Sequence, residues 1–129
     1  MRKLTKIAIG IFITPFVLIM LYIGFEIVGM AVNHCTTERQ TKRLTAYIEE
    51  NVADAEIRDA RSFTGNTGNG NHVDCVSEVE FTSEIGHDEL DRALEGFLKD
   101  STLRISEKDG VYTVGMTVPA PFPDNIEGH

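Results

Sequence analysis

From Ile7 to Phe25 the chain carries no charge, and apolar side chains would fall on every face of a helix formed there. Such a helix is roughly 28 Å long, close to the hydrocarbon thickness of a bilayer. A soluble core helix keeps a polar face, and this one has none. The run is therefore read as a transmembrane helix inside a single-pass signal anchor over residues 7–32, preceded by a short cytoplasmic N-terminus, residues 1–6. A cleavable signal peptide competes with this reading, because Arg2, Lys3 and Lys6 form a basic start and Gly29-Met30-Ala31 fits a small-x-small cleavage site. The apolar region of a signal peptide is about 7 to 15 residues long, shorter than this run. A lipid-modified Cys35 is disfavoured by Asn33 and His34 just before it. Pro15 removes one backbone donor and is expected to kink the span. Glu26 is expected at the outer interface, where the uncharged run ends, rather than as a functional carboxylate inside the membrane.

After the anchor the period changes. Thr37 with Gln40 fits a capping box, and Leu44, Tyr47, Ile48 and Asn51 follow at helical spacing. This helix either continues from the membrane helix or breaks at Asn33-His34. Residues 52–63 read as a strand with Ala53, Ala55, Ile57 and Phe63 on one face, interrupted by Asp59 and Arg61. Residues 64–71, rich in Gly and Asn, read as a loop. A phosphate cradle there would need a Lys and a following helix, and neither is present. Residues 72–83 alternate: Val73, Cys75, Val79 and Phe81 point one way, and His72, Asp74, Glu78 and Glu80 the other.

Residues 87–99 carry Leu90, Ala93, Leu94, Phe97 and Leu98 on one helical face, with Asp88 and Glu89 suited to the positive N-terminal end. Two strands, 102–105 and 111–118, then form a hairpin around Glu107-Lys108-Asp109-Gly110, with Tyr112, Val114, Met116 and Val118 on the inner face. The Pro-rich acidic tail, residues 119–129, cannot extend a strand ladder and is expected to run extended. The predicted fold is α+β: a single N-terminal transmembrane helix followed by a small two-layer domain over residues 33–118. The order α-β-β-α-β-β places two helices on one face of a mainly antiparallel four-stranded sheet.

Charge narrows the partners. Beyond residue 32, nine Lys and Arg stand against nineteen Asp and Glu, a net charge of −10. Such a surface repels nucleic acid and favours either a basic protein partner or none. Cys35 and Cys75 are the only cysteines, and in an exported domain such a pair predicts one disulfide. It would close a loop of about 40 residues, worth about 4 kcal/mol by chain entropy. The basic flanks, Arg2, Lys3 and Lys6 before the span and Arg39, Lys42 and Arg43 after it, nearly balance. The expected disulfide, and the freedom of long C-terminal segments to translocate, place the domain outside the cytoplasm.

Chemistry-bearing residues form no catalytic set. The sequence has no nucleophile elbow and no His-Glu-x-x-His helix. Zinc bound by His34, Cys35, His72 and Cys75 is disfavoured, because His72 and Cys75 fall on opposite faces of a strand. No cofactor or metal site is expected. The candidate binding face is Glu56, His72, Asp74, Glu78 and Glu80. The leading expectation is a non-enzymatic, membrane-anchored protein-binding module, either an inhibitor or immunity-type protein or an accessory subunit of an envelope complex. The rival is an envelope hydrolase or ligand-binding domain using His72, Asp74, Glu78 and Glu80.

Overall fold

The computed structural model describes residues 1–68, 70–97 and 102–129. Helix α1 (Arg2–Asn51) is continuous over 50 residues, so it is roughly 75 Å long. It passes through Pro15 and through Asn33-His34 without interruption. Thr37 therefore caps nothing; its hydroxyl donates to the Asn33 carbonyl one turn back, at 3.0 Å. The apolar part of α1 is long and apolar enough to be a candidate membrane span, and none of it is buried by the rest of the chain.

The sheet is antiparallel throughout, with strand order β1 (Glu56–Gly65), β2 (Asp74–Thr82), β4 (Val111–Pro119), β3 (Thr102–Lys108). Helix α2 (His87–Glu95) lies between β2 and β3 in sequence, giving the expected order α-β-β-α-β-β. Phe97 packs on the core just beyond its end, and the expected continuation to Leu98 and Lys99 lies outside the described residues. The β3–β4 turn is the tight one that Asp-Gly predicts: Asp109 (φ 53°) and Gly110 (φ 78°) both take positive φ.

One face of the sheet is covered by the distal half of α1 and by α2. Leu44 and Ile48 of α1, with Val52 just beyond its end, meet Val79, Phe81, Tyr112 and Val114 of the sheet and Leu90 and Leu94 of α2 in a closed apolar core. Each such side chain contributes about 1.5–3 kcal/mol by leaving water. Nearer the span the same interface turns polar. The Thr37 and Thr64 hydroxyls lie 2.6 Å apart, and Gln40 donates to the Cys75 carbonyl (3.1 Å) and the Ser77 hydroxyl (3.0 Å). Ser62 and Ser77 flank Thr41 Oγ1 at 2.6 and 2.8 Å.

A bulge corrects the phase expected of β1. Between Ile57 and Asp59 the register against β2 slips by one residue. Ile57 stays over the core, whereas Phe63 is carried to the opposite face and is 53% exposed. Ala60, Ser62 and Thr64 take the inner positions instead, opposite Val79, Ser77 and Cys75.

The expected Cys35–Cys75 bridge is not formed; both thiols are free. Helix phase explains this. Asn33, Thr37 and Thr41 face the sheet, and at 100° per residue Cys35 lies about 200° from both Asn33 and Thr37, so it projects into solvent. Cys75 is buried beneath α1, with Sγ 3.9 Å from the Asn33 carbonyl. Burial raises its pKa above the usual thiol range, against a smaller opposing effect of the Thr37 hydroxyl.

Candidate functional site

The second face of the sheet is covered by no element among the described residues. Its composition follows from register. Asp59 pairs with Glu80 and Arg61 with Glu78, while Glu80 and Glu78 in turn lie opposite Thr113 and Gly115 of β4. Gly115 then pairs with Arg104 of β3. Period-2 alternation sends all of these side chains away from the core, because their strand neighbours Val79, Tyr112 and Val114 are buried.

The expected binding face is only partly assembled there. Glu78 and Glu80 are present together, but their cation comes from within the chain. Arg61 reaches Glu78 at 2.7 Å, Asp59 at 3.2 Å, and also Glu80. All four side chains are partly exposed, so these ion pairs contribute little to stability. Glu56 is exposed at the far end of β1, opposite Thr82. Beside the ion pairs a shallow open groove of about 550 Å³ runs over Gly115, bounded by Glu78, Val76, Thr113, Thr117 and Arg104. Gly115 has open space where a side chain would stand, so it sets the groove floor.

Asp74 does not belong to a solvated face. It is 3% exposed, accepts a hydrogen bond from Thr67, and lies 3.3 Å from His72 Nε2. These contacts tie the Gly-Asn loop to the start of β2. Six residues of strand separate Asp74 from Glu80, about 20 Å at strand rise. His72, Asp74, Glu78 and Glu80 therefore do not converge on one reacting centre.

A second polar cluster lies at the end of the candidate span, built by the C-terminal tail. After β4 the Ala120 amide donates to the Val73 carbonyl (2.9 Å), and the chain then turns onto α1. The Asn33 side chain pairs with both backbone groups of Phe122, donating to its carbonyl at 2.8 Å and accepting from its amide at 3.0 Å. Glu26, 2% exposed, accepts from the Asn125 amide (2.8 Å) and side chain (3.0 Å). The Phe122 ring lies against Phe25, with centroids 4.8 Å apart, and presses on Gly29, where a Cβ would come within 2.0 Å of it. Asp124 stiffens the turn by accepting the Ile126 and Glu127 amides, and Glu127 meets His34 at 2.7 Å.

Sequence reasoning missed Arg61 and Arg104 because cross-strand neighbours depend on register. Glu26, Gly29 and Asn33 were legible as a stripe at i, i+3 and i+7, the spacing of one helix face. Among the described residues, His87, Asp88 and Asp91 bring three ligand-type side chains within 4.8 Å. All three are exposed at the start of α2, where acidic residues favour the helix dipole without any metal. The zinc set stays apart, with Cys35 in solvent and Cys75 under α1. No protein family, curated protein or solved structure matches the chain.

Proposed function

We propose that this chain is a single-pass, membrane-anchored protein-binding module, non-enzymatic, whose domain stands outside the cytoplasm and takes a basic protein segment on its open sheet face. The observation that carries this reading is the asymmetry of the sheet: two helices cover one face, and the other holds a groove beside three carboxylates. Arg61 occupies the place of a partner's cation. Its exposed ion pairs are each worth about 0–1 kcal/mol, so exchanging them for a partner's lysine or arginine costs little. The net charge of −10 beyond residue 32 favours encounter with such a partner through the on-rate.

The orientation rests on the basic flank. Arg2, Lys3 and Lys6 abut the span, whereas Arg39 is fourteen residues beyond Phe25, carried about 21 Å away along the unbroken α1. The free thiols withdraw the support that a disulfide would have lent.

A photo-crosslinking residue at Thr113, in intact membranes, tests the binding face. The expected result is one discrete protein adduct whose yield falls as salt rises, with none from the same probe at Glu95 on α2. Equal adducts from both positions, or none from Thr113, overturn the reading. Exchanging residues 1–25 for an unrelated anchor then separates the two subclasses: an inhibitor keeps its adduct, and an accessory subunit recognised through its helix loses it.

A further inference from the structure

The clasp between the tail and α1 lies at a particular depth. If the run Ile7–Phe25 fills the hydrocarbon layer, the next turns of α1 enter the headgroup layer, which is about 6 Å thick on each side. Those turns hold Glu26 and Gly29, the residues against which the tail packs. Asn125 reaches one turn further down, with its side-chain amide 3.3 Å from the Tyr22 hydroxyl. This end of the clasp therefore sits at membrane level, while Asn33, about 12 Å beyond Phe25 along α1, holds its other end above the headgroups.

The exposed residues around the clasp match that depth. On α1, Phe25, Ile27, Val28 and Val32 are all exposed, and on the tail so is Ile126. They continue the apolar surface of the span without a charged side chain on the outside, since Glu26, the one carboxylate among these turns, is buried by Asn125. The carboxylates of Glu26 and Asp124 turn inward, whereas Pro123 and Ile126 of the tail face outward, with the exposed Asn125 amide at the boundary and the Phe122 ring tucked against Gly29. A tail designed to meet water would be arranged the other way round. We propose that residues 122–126 form an interfacial strap that rests in the lipid headgroup layer, with Ile126 in contact with lipid, and that keeps Glu26 from facing lipid. The occupant of this apolar belt is the bilayer surface itself, and the inference rests on the membrane-span reading above.

The chain contains no tryptophan, so each single Trp variant is its own reporter. Three full-length variants, Phe16→Trp in the span, Ile126→Trp on the strap and Phe63→Trp on the open sheet face, are reconstituted in phosphatidylcholine bilayers. Lipids brominated either near the headgroup or deep in the acyl chain serve as quenchers. All three side chains are exposed, so the substitutions leave the packing intact. The expected result is strong quenching of Phe16→Trp by the deep bromine, stronger quenching of Ile126→Trp by the shallow bromine than by the deep one, and none of Phe63→Trp. Quenching of Phe16→Trp without quenching of Ile126→Trp overturns the strap and leaves the span intact. An unquenched Phe16→Trp overturns the span and the strap together. Quenching of Phe63→Trp to the same degree as Ile126→Trp also overturns the strap, since the whole domain would then lie on the membrane.

Discussion

At the residue scale, two groups report on the fold through their own chemistry. Cys35 and Cys75 differ in environment, one in solvent and one under α1. Alkylation of the native protein without reductant is expected to modify Cys35 readily and Cys75 only on unfolding, read by mass spectrometry. Protection of both until a reductant is added would restore the bridge. Asp54 is the second. It accepts the Ser83 hydroxyl at 2.5 Å and the Glu84 amide at 2.7 Å, and these bonds, the hydroxyl first, hold its carboxyl below the usual carboxylate range. A depressed folded-state pKa stabilises the fold above the unfolded value, about 3.9, and that stabilisation is lost as pH falls below it. Wild type is therefore expected to exceed Asp54→Asn in stability by a constant margin above about pH 5. Denaturant midpoints should then converge as the pH falls below about 4, and a margin that persisted there would assign it to something other than the carboxylate charge.

At the element scale, α1 is one helix with three successive duties, and its sequence changes with each. The first part is apolar all round; the second carries the Glu26, Gly29, Asn33 stripe for the tail; the third packs on the sheet through Thr37, Thr41, Leu44 and Ile48. The stripe works only because Gly29 leaves room for the Phe122 ring. Gly29→Ala is expected to displace that ring and loosen the tail at a cost of about 1–3 kcal/mol, seen as faster proteolysis after residue 120 with little change in the sheet. The hydroxyl seam is the second test. Thr41→Val keeps the shape but strips Ser62 and Ser77 of a partner, so a loss of about 1–3 kcal/mol is expected by denaturant unfolding. Leu94→Ala, in the closed apolar core, should cost more, about 2–5 kcal/mol.

At the scale of the whole molecule, the unbroken helix joins the candidate span to the domain core without a linker. The domain is thereby held at a set height and rotation, and the tail adds a second connection at the base. This rigidity suits a module that presents one sheet face to a partner beside it. A reporter enzyme active only outside the cytoplasm, fused after His129, is expected to be active, and a reporter that works only in the cytoplasm silent. The opposite pattern would reverse the orientation.

What the sequence by itself determined was whatever depends on neighbours close along the chain. The uncharged run, the 3.6-residue spacing of Leu44 and Ile48, the alternation of β2, and the Asp109-Gly110 turn each rest on local geometry, and together they specify the order α-β-β-α-β-β. What only the tertiary structure decided depends on residues far apart. A bulge, invisible in the composition of β1, turned Phe63 outward. Helix continuity through Asn33 set the phase that points Cys35 away from Cys75, so two cysteines of suitable number do not meet. Register placed Arg61 between Glu78 and Glu80, making a mixed-charge patch of a face that alternation alone reads as acidic. The tail, read from its prolines as free of any ladder, keeps Pro119 in β4 opposite Asp74, and beyond it found partners in Asn33 and Glu26, 89 and 99 residues away. Buried polar groups must be paired, and no local pattern says which distant backbone will supply the bond.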